Sequence, residues 1–384
     1  MHIIKNSSFT LVIKAVLENY RNYSYCYTNL EQFNVIYGNN GSGKTNFLEA
    51  LSLLSPGKGL RGVNFEEVLN TKNTNLSTTF TIKNDFGTNS IKIINDNNTN
   101  KSNLNYLSLN NEEKLAKKVI LLDNEPIKKL QQLPLYIKPL WLTPKMDTLF
   151  LEENKVQRSF FDRLIFNLDS SHLTRINSYN KALKERNTLL KNQSKDSSWF
   201  NALEEILATQ GVSIAATRVD FLDKLNQILQ KNNSYYFPNI HLSLDGLVER
   251  ALINDKLSAL NCENLIKNKL KDSRAADYKS GTTSLGSHKS IIKIVNLNNK
   301  LIAKNCSTGE QKIMLITIIL AFVKLLMLEE KINPLLLLDE FLVHLDDKFR
   351  NNLLKELTSM PLQFIITTTD IDHFAKFKTK LNFL

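Results

Sequence analysis

Hydrophobic and polar positions alternate with period two over much of the first third of the chain. Phe9–Leu17 and Tyr23–Tyr27 are rich in β-branched and aromatic residues and predict two strands of a hairpin joined by Glu18-Asn19-Tyr20-Arg21-Asn22. Phe33, Val35 and Ile36 predict a third strand, after which Phe47, Leu48 and Leu51 recur at helical spacing. Leu54-Ser55-Pro56-Gly57-Lys58-Gly59 breaks the helix and opens a loop carrying Lys58 and Arg61, with a helix expected over Asn64–Leu69. Alternation returns at Leu76–Ile82 and Ser90–Ile94, and more strand is expected at Asn105–Leu109 beyond a polar turn over Asn95–Asn103. Lys114–Leu122 fits no single period, and Leu140-Trp141-Leu142 predicts a buried strand ended by Thr143-Pro144.

At about Glu152 the period changes to helical and holds to about Asp272. Phe160, Phe161, Leu164, Ile165 and Leu168 share one helical face; Leu203, Ile206, Leu207, Gly211, Ile214 and Ala215 share another. No heptad repeat persists over many turns, so antiparallel helices are expected and a long coiled coil is not. Strands are expected again at Ser290–Val295 and Lys300–Ala303, then a helix over Lys312–Leu328. Pro334–Leu338 is a continuous apolar strand ending in Asp339-Glu340, and Gln363–Thr369 is another, as central parallel strands read. A chain of 384 residues exceeds the usual size of one core. The pattern predicts a discontinuous head domain, residues 1–150 and 276–384, with a helical domain inserted at 151–275.

Between the third strand and its helix lies Gly38-Asn39-Asn40-Gly41-Ser42-Gly43-Lys44-Thr45-Asn46, which fills G-x-x-x-x-G-K-[ST]. Small residues let successive backbone N–H groups curl round phosphate oxygens at a helix start. Lys44 would reach the β- and γ-phosphates, and the Thr45 hydroxyl would hold Mg²⁺. A glycine turn that binds nothing is the competing reading, and the strand, loop, helix order argues against it. Asp339, at the end of an apolar strand, is then the expected second Mg²⁺ group, and Glu340 the expected base or orienter of an attacking water. Lys44 and Glu340 are thus the candidate catalytic residues.

Composition narrows the partners. The net charge is +11, with a pI near 9.3, which favours a polyanion such as nucleic acid. Three scattered cysteines, Cys26, Cys262 and Cys306, argue against a disulfide framework and a cysteine metal site. The longest apolar stretch, Ile313–Leu328, is interrupted by Thr317 and Lys324, and Met1–Asn6 lacks a secretory pattern. A cytoplasmic protein without a membrane span is expected.

Ser307-Thr308-Gly309-Glu310-Gln311 has the S-x-G-[EQ]-[QK] form at a helix start ahead of Asp339-Glu340. Alone it is a common N-cap; in this position it resembles the signature loop of ATP-binding-cassette ATPase heads. That resemblance implies an α/β P-loop head with a mixed sheet plus an inserted α-helical domain. It further implies that Ser307, Gly309 and Glu310 act on ATP held by a partner subunit, in a homodimer with two composite sites, and that Leu345-Asp346 stands where the D-loop does. Thr367-Thr368-Thr369-Asp370 replaces the switch histidine of transporters, and His344 is read as a loop residue.

Within that superfamily the chain resembles the RecF family over nearly its whole length. The matching segments are Leu17–Tyr23, the P-loop with Asn46 and Glu49, Leu54–Arg61, Leu140–Pro144, Phe160–Arg163 through Leu183–Asn187, and Gly281–Lys289. Lys145 stands where an acid or glutamine is expected, and Ser287 and Lys289 where proline and arginine are usual. The resemblance implies a DNA-binding ATPase of recombinational repair and replication. ATP would clamp two heads on double-stranded or gapped DNA, RecR and RecO would assist loading of RecA, and slow hydrolysis would release the dimer.

Candidate DNA contacts, chosen for charge and position, are Lys58, Arg61, Lys181, Lys184 and Arg186. Three other classes compete. A transporter motor would need the switch histidine, an SMC-type structural ATPase a far longer insert, and a small-molecule P-loop kinase no Ser-x-Gly signature.

Overall fold

The computed structural model describes residues 9–69, 75–85, 87–96, 117–127, 130–231, 236–329, 333–343, 345–374 and 380–383. The chain forms two compact units, Met1–Met146 with Leu326–Leu384, and Asp147–Leu325.

The alternating first third builds an antiparallel sheet in the first unit. Its strands are β1 (Leu11–Tyr20), β2 (Tyr23–Asn29), and, after β3 (Phe33–Tyr37) and helix α1 (Lys44–Ser52), β4 (Ser77–Asn84), β5 (Gly87–Asp96), β6 (Lys117–Leu122) and β7 (Glu125–Pro126). The order is β2-β1-β4-β5-β6-β7. Along β4, Thr78, Phe80 and Ile82 are buried while Ser77, Thr79 and Thr81 are not, and one buried face pins the register, because a one-residue slip would expose it. The continuous apolar runs do something else. β3, β8 (Pro139–Leu142), β12 (Leu335–Leu338), β13 (Gln363–Thr368) and β14 (Lys380–Phe383) pair in parallel in the order β14-β3-β13-β12-β8.

Phe47, Leu48 and Leu51 of α1 are fully buried in the core between these strands. Gln363, buried at the start of β13, accepts from the Val12 amide at 2.8 Å and donates to the carbonyls of Val12 and Glu31 at 2.8 and 2.7 Å. A satisfied buried amide thus joins β13 to β1, and leaving any of these groups unpaired would cost about 1–3 kcal/mol.

The second unit holds α2 (Asn154–Leu168), α3 (Ser171–Lys191), the 34-residue α4 (Ser197–Gln230), β9 (Ile240–Asp245), α5 (Leu247–Ile253), α6 (Ala259–Ser280), β10 (Ile291–Asn296) and β11 (Leu301–Ile302). Helix α7 (Thr308–Glu329) runs back to the first unit's β12, α8 (Asp347–Ser359) and β13. Leu203, Leu207, Ala208, Val212 and Ala215 of α4 pack with Leu190, Ile266 and Leu270. Among the described residues α7 is the one helix long and apolar enough to cross a membrane, at a mean hydropathy of 2.1; 78% of that window is buried inside the protein, the setting of a core helix.

Several expectations change. β1 runs on to Tyr20, so the hairpin connection is only Arg21-Asn22, made possible by positive φ at Asn19 and Arg21 (53° and 54°). Asn64–Leu69 contains a single 3-10 turn, Phe65–Val68, Lys117–Leu122 is a strand, and Asn105–Leu109 lies outside the described residues. Ile206 is 39% exposed and not on the buried face of its helix. The helical stretch also hides a strand. β9 pairs antiparallel with β10, and Asn226 of α4 clamps it by bonding both the amide and the carbonyl of Leu242 at 2.9 and 2.7 Å. That pairing ties residues beyond 276 to the insert, so the division into units falls inside α7 and not near 275.

Candidate functional site

The loop after β3 has the backbone its glycines allow: φ is +84° at Gly41 and +109° at Gly43, values that carry a steric penalty for other residues. A Cβ on Gly43 would also stand 2.6 Å from the Tyr23 hydroxyl and 2.7 Å from Asn22 Nδ2. The hairpin turn is therefore seated on the loop. Tyr23 donates to the Gly43 carbonyl at 2.9 Å, Asn22 Nδ2 to the Ser42 carbonyl at 3.1 Å, and Asn46 Nδ2 to Asn22 Oδ1 at 2.7 Å. Asn39, Asn40 and Gly41 are exposed. The Ser42 hydroxyl is shielded from solvent without a protein partner, which a phosphate oxygen would supply.

Lys44 is 4% exposed, and its ammonium donates to the carbonyls of Gly38 and Asn39 at 2.8 and 3.0 Å. Its third direction faces Glu340, whose Oε1 lies 3.8 Å away. Two loop carbonyls and the facing carboxylate hold the charge inside the loop.

Parallel pairing brings the acidic strand end to the same place. Thr45 Oγ1 donates to Asp339 at 3.0 Å, and Thr367 Oγ1 donates to Asp339 Oδ1 at 2.8 Å while accepting the Glu340 amide at 2.8 Å. Burial pushes the Asp339 carboxyl up and the Glu340 charge adds to this; hydrogen bonds from Thr367 and Thr45 and the Arg61 charge oppose it without cancelling it. A dication would reverse that balance. Among the described residues no cluster of three or more His, Cys, Asp or Glu is built to hold a metal, but one carboxylate and one hydroxyl suit Mg²⁺, which keeps several waters and takes phosphate oxygens. Glu340 has φ of +43°, a conformation costing on the order of 1–3 kcal/mol in a non-glycine residue and concentrated at functional sites.

Behind α1, Glu49 is wholly buried and receives both Arg21 Nε and Nη2 at 2.9 and 2.7 Å, and Arg61 Nη1 at 3.3 Å. Arg61, a candidate DNA contact, gives one donor to Glu49, and its side chain stays 32% exposed. Arg21, Asn22, Tyr23 and Thr367 have no role assigned from sequence, because each acts through a fold contact to the loop or strand end.

In the second unit, Ser307, Thr308 and Gly309 are exposed. Ser307 and Glu310 form a capping box: the Ser307 amide and hydroxyl donate to Glu310 Oε2 at 2.9 Å each, and the Glu310 amide donates to Ser307 Oγ at 3.3 Å. Those bonds hold the Glu310 carboxyl below the usual carboxylate range. Back in the first unit, Asp346 caps α8 by accepting from the Phe349 amide at 2.8 Å. Lys145 is exposed in the turn Pro144–Met146, and His344 lies outside the described residues.

Of the remaining DNA candidates, Lys58 is exposed and donates to Asn64 Oδ1 at 2.9 Å, and Lys181 and Lys184 are exposed on α3. Arg186 is corrected. It is 0% exposed and bonds Glu204 at 3.1 Å, Asp277 and Thr283 at 2.8 Å, and the Leu270 carbonyl at 3.0 Å, so no donor faces solvent. A second buried hub joins Asp162 to Arg218 at 2.7 and 2.8 Å and to His172 at 2.9 Å, with Arg218 also bonding the Ser287 carbonyl at 2.9 Å.

The family model described as RecF/RecN/SMC N terminal domain matches residues 11–383. A curated relative from Rickettsia conorii, named DNA replication and repair protein RecF, is 35% identical over 365 residues, 95% of this chain and 96% of its own. The chain belongs to the RecF family. The RecF of Rickettsia canadensis is also 35% identical, over 370 residues. Solved structures of the recombination mediator protein RecF with ATPrS and with ATP, in the RecFOR pathway, superpose with TM-scores of 0.80 and 0.78 at 25% identity, each over 95% of this chain and 94% and 95% of theirs. The fold is the RecF one: a cassette-type P-loop head with an inserted helical domain.

Proposed function

We propose that this RecF-family chain is an ATPase of DNA replication and recombinational repair that works in the cytoplasm as an ATP-dependent homodimer. The observation that carries the reading is the meeting of Lys44, Thr45, Asp339, Thr367 and Glu340 at the end of one parallel sheet. Lys44 would hold the β- and γ-phosphates, Thr45 and Asp339 would hold Mg²⁺, and Glu340 would orient the attacking water. Mg²⁺ would neutralise charge developing between the phosphates. The exposed Thr308-Gly309 start of α7 would offer helix-terminal amides and a favourable dipole to the γ-phosphate of a second subunit. ATP binding would close two heads on duplex DNA at a gap, with Lys58, Lys181 and Lys184 as phosphate contacts. Slow hydrolysis would release it, and RecR and RecO would act with it to load RecA. No base-reading helix or zinc module is present in the sequence, so binding would not be sequence-specific and would weaken steeply with salt.

Sedimentation with ATP tests the composite site. Glu340→Gln should bind ATP, fail to hydrolyse it and accumulate as a dimer, since the amide keeps the shape and removes the base. Adding Ser307→Arg should return it to monomer with ATP affinity unchanged. A doubly substituted protein that still dimerises on ATP would leave the signature role without support.

A further inference from the structure

The parallel ladder between β12 and β13 ends at the pair Leu338 and Ile366, while β13 runs on beside β3 to the pair Thr368 and Tyr37. Asp339 still gives its amide to the Leu142 carbonyl of β8 at 2.9 Å. At Glu340 the chain turns out of the sheet with φ of +43°. There a side chain stands where a ladder would supply a carbonyl: Thr367 Oγ1 accepts the Glu340 amide at 2.8 Å and donates to Asp339 Oδ1 at 2.8 Å. The hydroxyl is donor and acceptor at once. Thr367 is 1% exposed, and a β-branched side chain is stiff at χ1, so the oxygen has a fixed place. The far side of Glu340 is held too, since its carbonyl accepts the Val343 amide at 3.3 Å and the next residue, Phe341, is buried. Only the Glu340 side chain reaches out, 38% exposed, with Oε1 at 3.8 Å from the Lys44 ammonium.

Resting on the proposed role of Glu340, we infer that Thr367 is a positioning residue for ATP hydrolysis: its hydroxyl holds Glu340 in the left-handed turn that aims the carboxylate at the attacking water. Thr367 acts through Glu340 and not on the nucleotide. A left-handed conformation is uncommon for a residue with a side chain and persists only where the surroundings over-determine it. Without the hydroxyl the Glu340 amide loses its partner, the turn relaxes, and the carboxylate loses its direction. Asp339 keeps its amide bond to Leu142, and the loop after β3 keeps its own bonds, so nucleotide binding is spared.

The test compares Thr367→Val, which keeps the branched shape and removes the hydroxyl, with Thr367→Ser, which keeps the hydroxyl and removes the methyl. ATP affinity is read by equilibrium titration of the full chain, and turnover by phosphate release at saturating ATP. A misplacement of about 1 Å can cost on the order of a hundredfold, so Thr367→Val should lower kcat by about tenfold to a hundredfold while the Kd for ATP changes less than about threefold. Thr367→Ser should recover most of the turnover. A threonine that only packs would give the opposite order, because serine loses the methyl that valine keeps. Should Thr367→Val not fold, Thr367→Ala removes the same hydroxyl without crowding and carries the same readout. Parental kcat in the hydroxyl-free variant, equal losses in the valine and serine variants, or an ATP affinity that falls in step with kcat overturns the positioning role. Glu340→Gln is measured alongside. If it hydrolyses ATP as fast as the parent, the role of Glu340 fails and this inference with it; if it is inactive while Thr367→Val is fully active, this inference fails alone.

Discussion

Two buried basic side chains, Lys44 in the first unit and Arg186 in the second, have nearly the same exposure and opposite meanings. Lys44 gives two donors to backbone carbonyls of its own loop and faces its nearest carboxylate at 3.8 Å. Arg186 is surrounded by two carboxylates, a hydroxyl and a carbonyl, all within 3.1 Å. The first is charge held by carbonyls of its own loop, which under the proposed function would give way to phosphate; the second is charge consumed by the fold. Burial alone does not distinguish a binding residue from a structural one. The commitment of its donors does: four of the five guanidinium N–H groups of Arg186 are bonded within the fold and none of the side chain is exposed to a ligand.

The comparison breaks first at Arg186. Arg186→Met leaves Asp277 in the core without its guanidinium, while Glu204 keeps Arg274 at 2.9 and 2.5 Å, and an uncompensated buried carboxylate costs about 3–5 kcal/mol. Urea denaturation should show a loss of that size, with ATP affinity unchanged in the remaining folded protein; a stable variant with impaired DNA binding would return Arg186 to the DNA surface. Lys44→Ala should invert the pattern, with ATP binding weakened by about a hundredfold or more because the compact charge facing the phosphates is gone. Stability should change by less than about 1 kcal/mol, since only backbone carbonyls lose a donor there and loop carbonyls can turn to water. Near-parental ATP affinity would sink the assignment of the loop.

A pH dependence lies next to the hubs. His288 Nδ1 meets the Tyr179 hydroxyl at 2.7 Å and its Nε2 meets the Thr283 carbonyl at 3.2 Å. Burial pushes its pKa down to about 4, against about 6.5 in an unfolded chain. Between those values the unfolded state binds the extra proton, so this contribution is complete above about pH 6.5 and is lost as pH falls towards 4. Stability measured across that window should fall in the parent and fall less in His288→Asn. Asp162 acts lower: burial pushes its carboxyl up, but the His172 hydrogen bond and the Arg218 charge outweigh that and hold it below the usual range.

Much of this was legible in advance, for a local reason. The P-loop is contiguous, its glycine positions and flanking periods are set by backbone sterics and side-chain spacing, and Lys44 and Thr45 follow from them, while Asp339 is read from the end of its own apolar strand. The N-cap at Ser307 is equally local. Arg186 was misread as a DNA contact because a basic residue on a polar helix face looks solvated until α4 and α6 are laid against it. β9 was missed because Ile240–Asp245 is a short alternating stretch between two helices, and only its pairing with β10 makes it a strand.

The sequence by itself determined the loop, the apolar parallel strands, the sign of the net charge and the presence of a helical insert, all of which depend on residues near one another in the chain. The tertiary structure alone decided which charges are spent, that the Arg21-Asn22 turn braces the P-loop, that Thr367 joins Asp339 to Glu340, and which unit residues beyond 276 belong to. Those outcomes depend on partners as far apart in sequence as Thr45 and Asp339 or Arg186 and Asp277, and no local pattern encodes which distant carboxylate a guanidinium will meet.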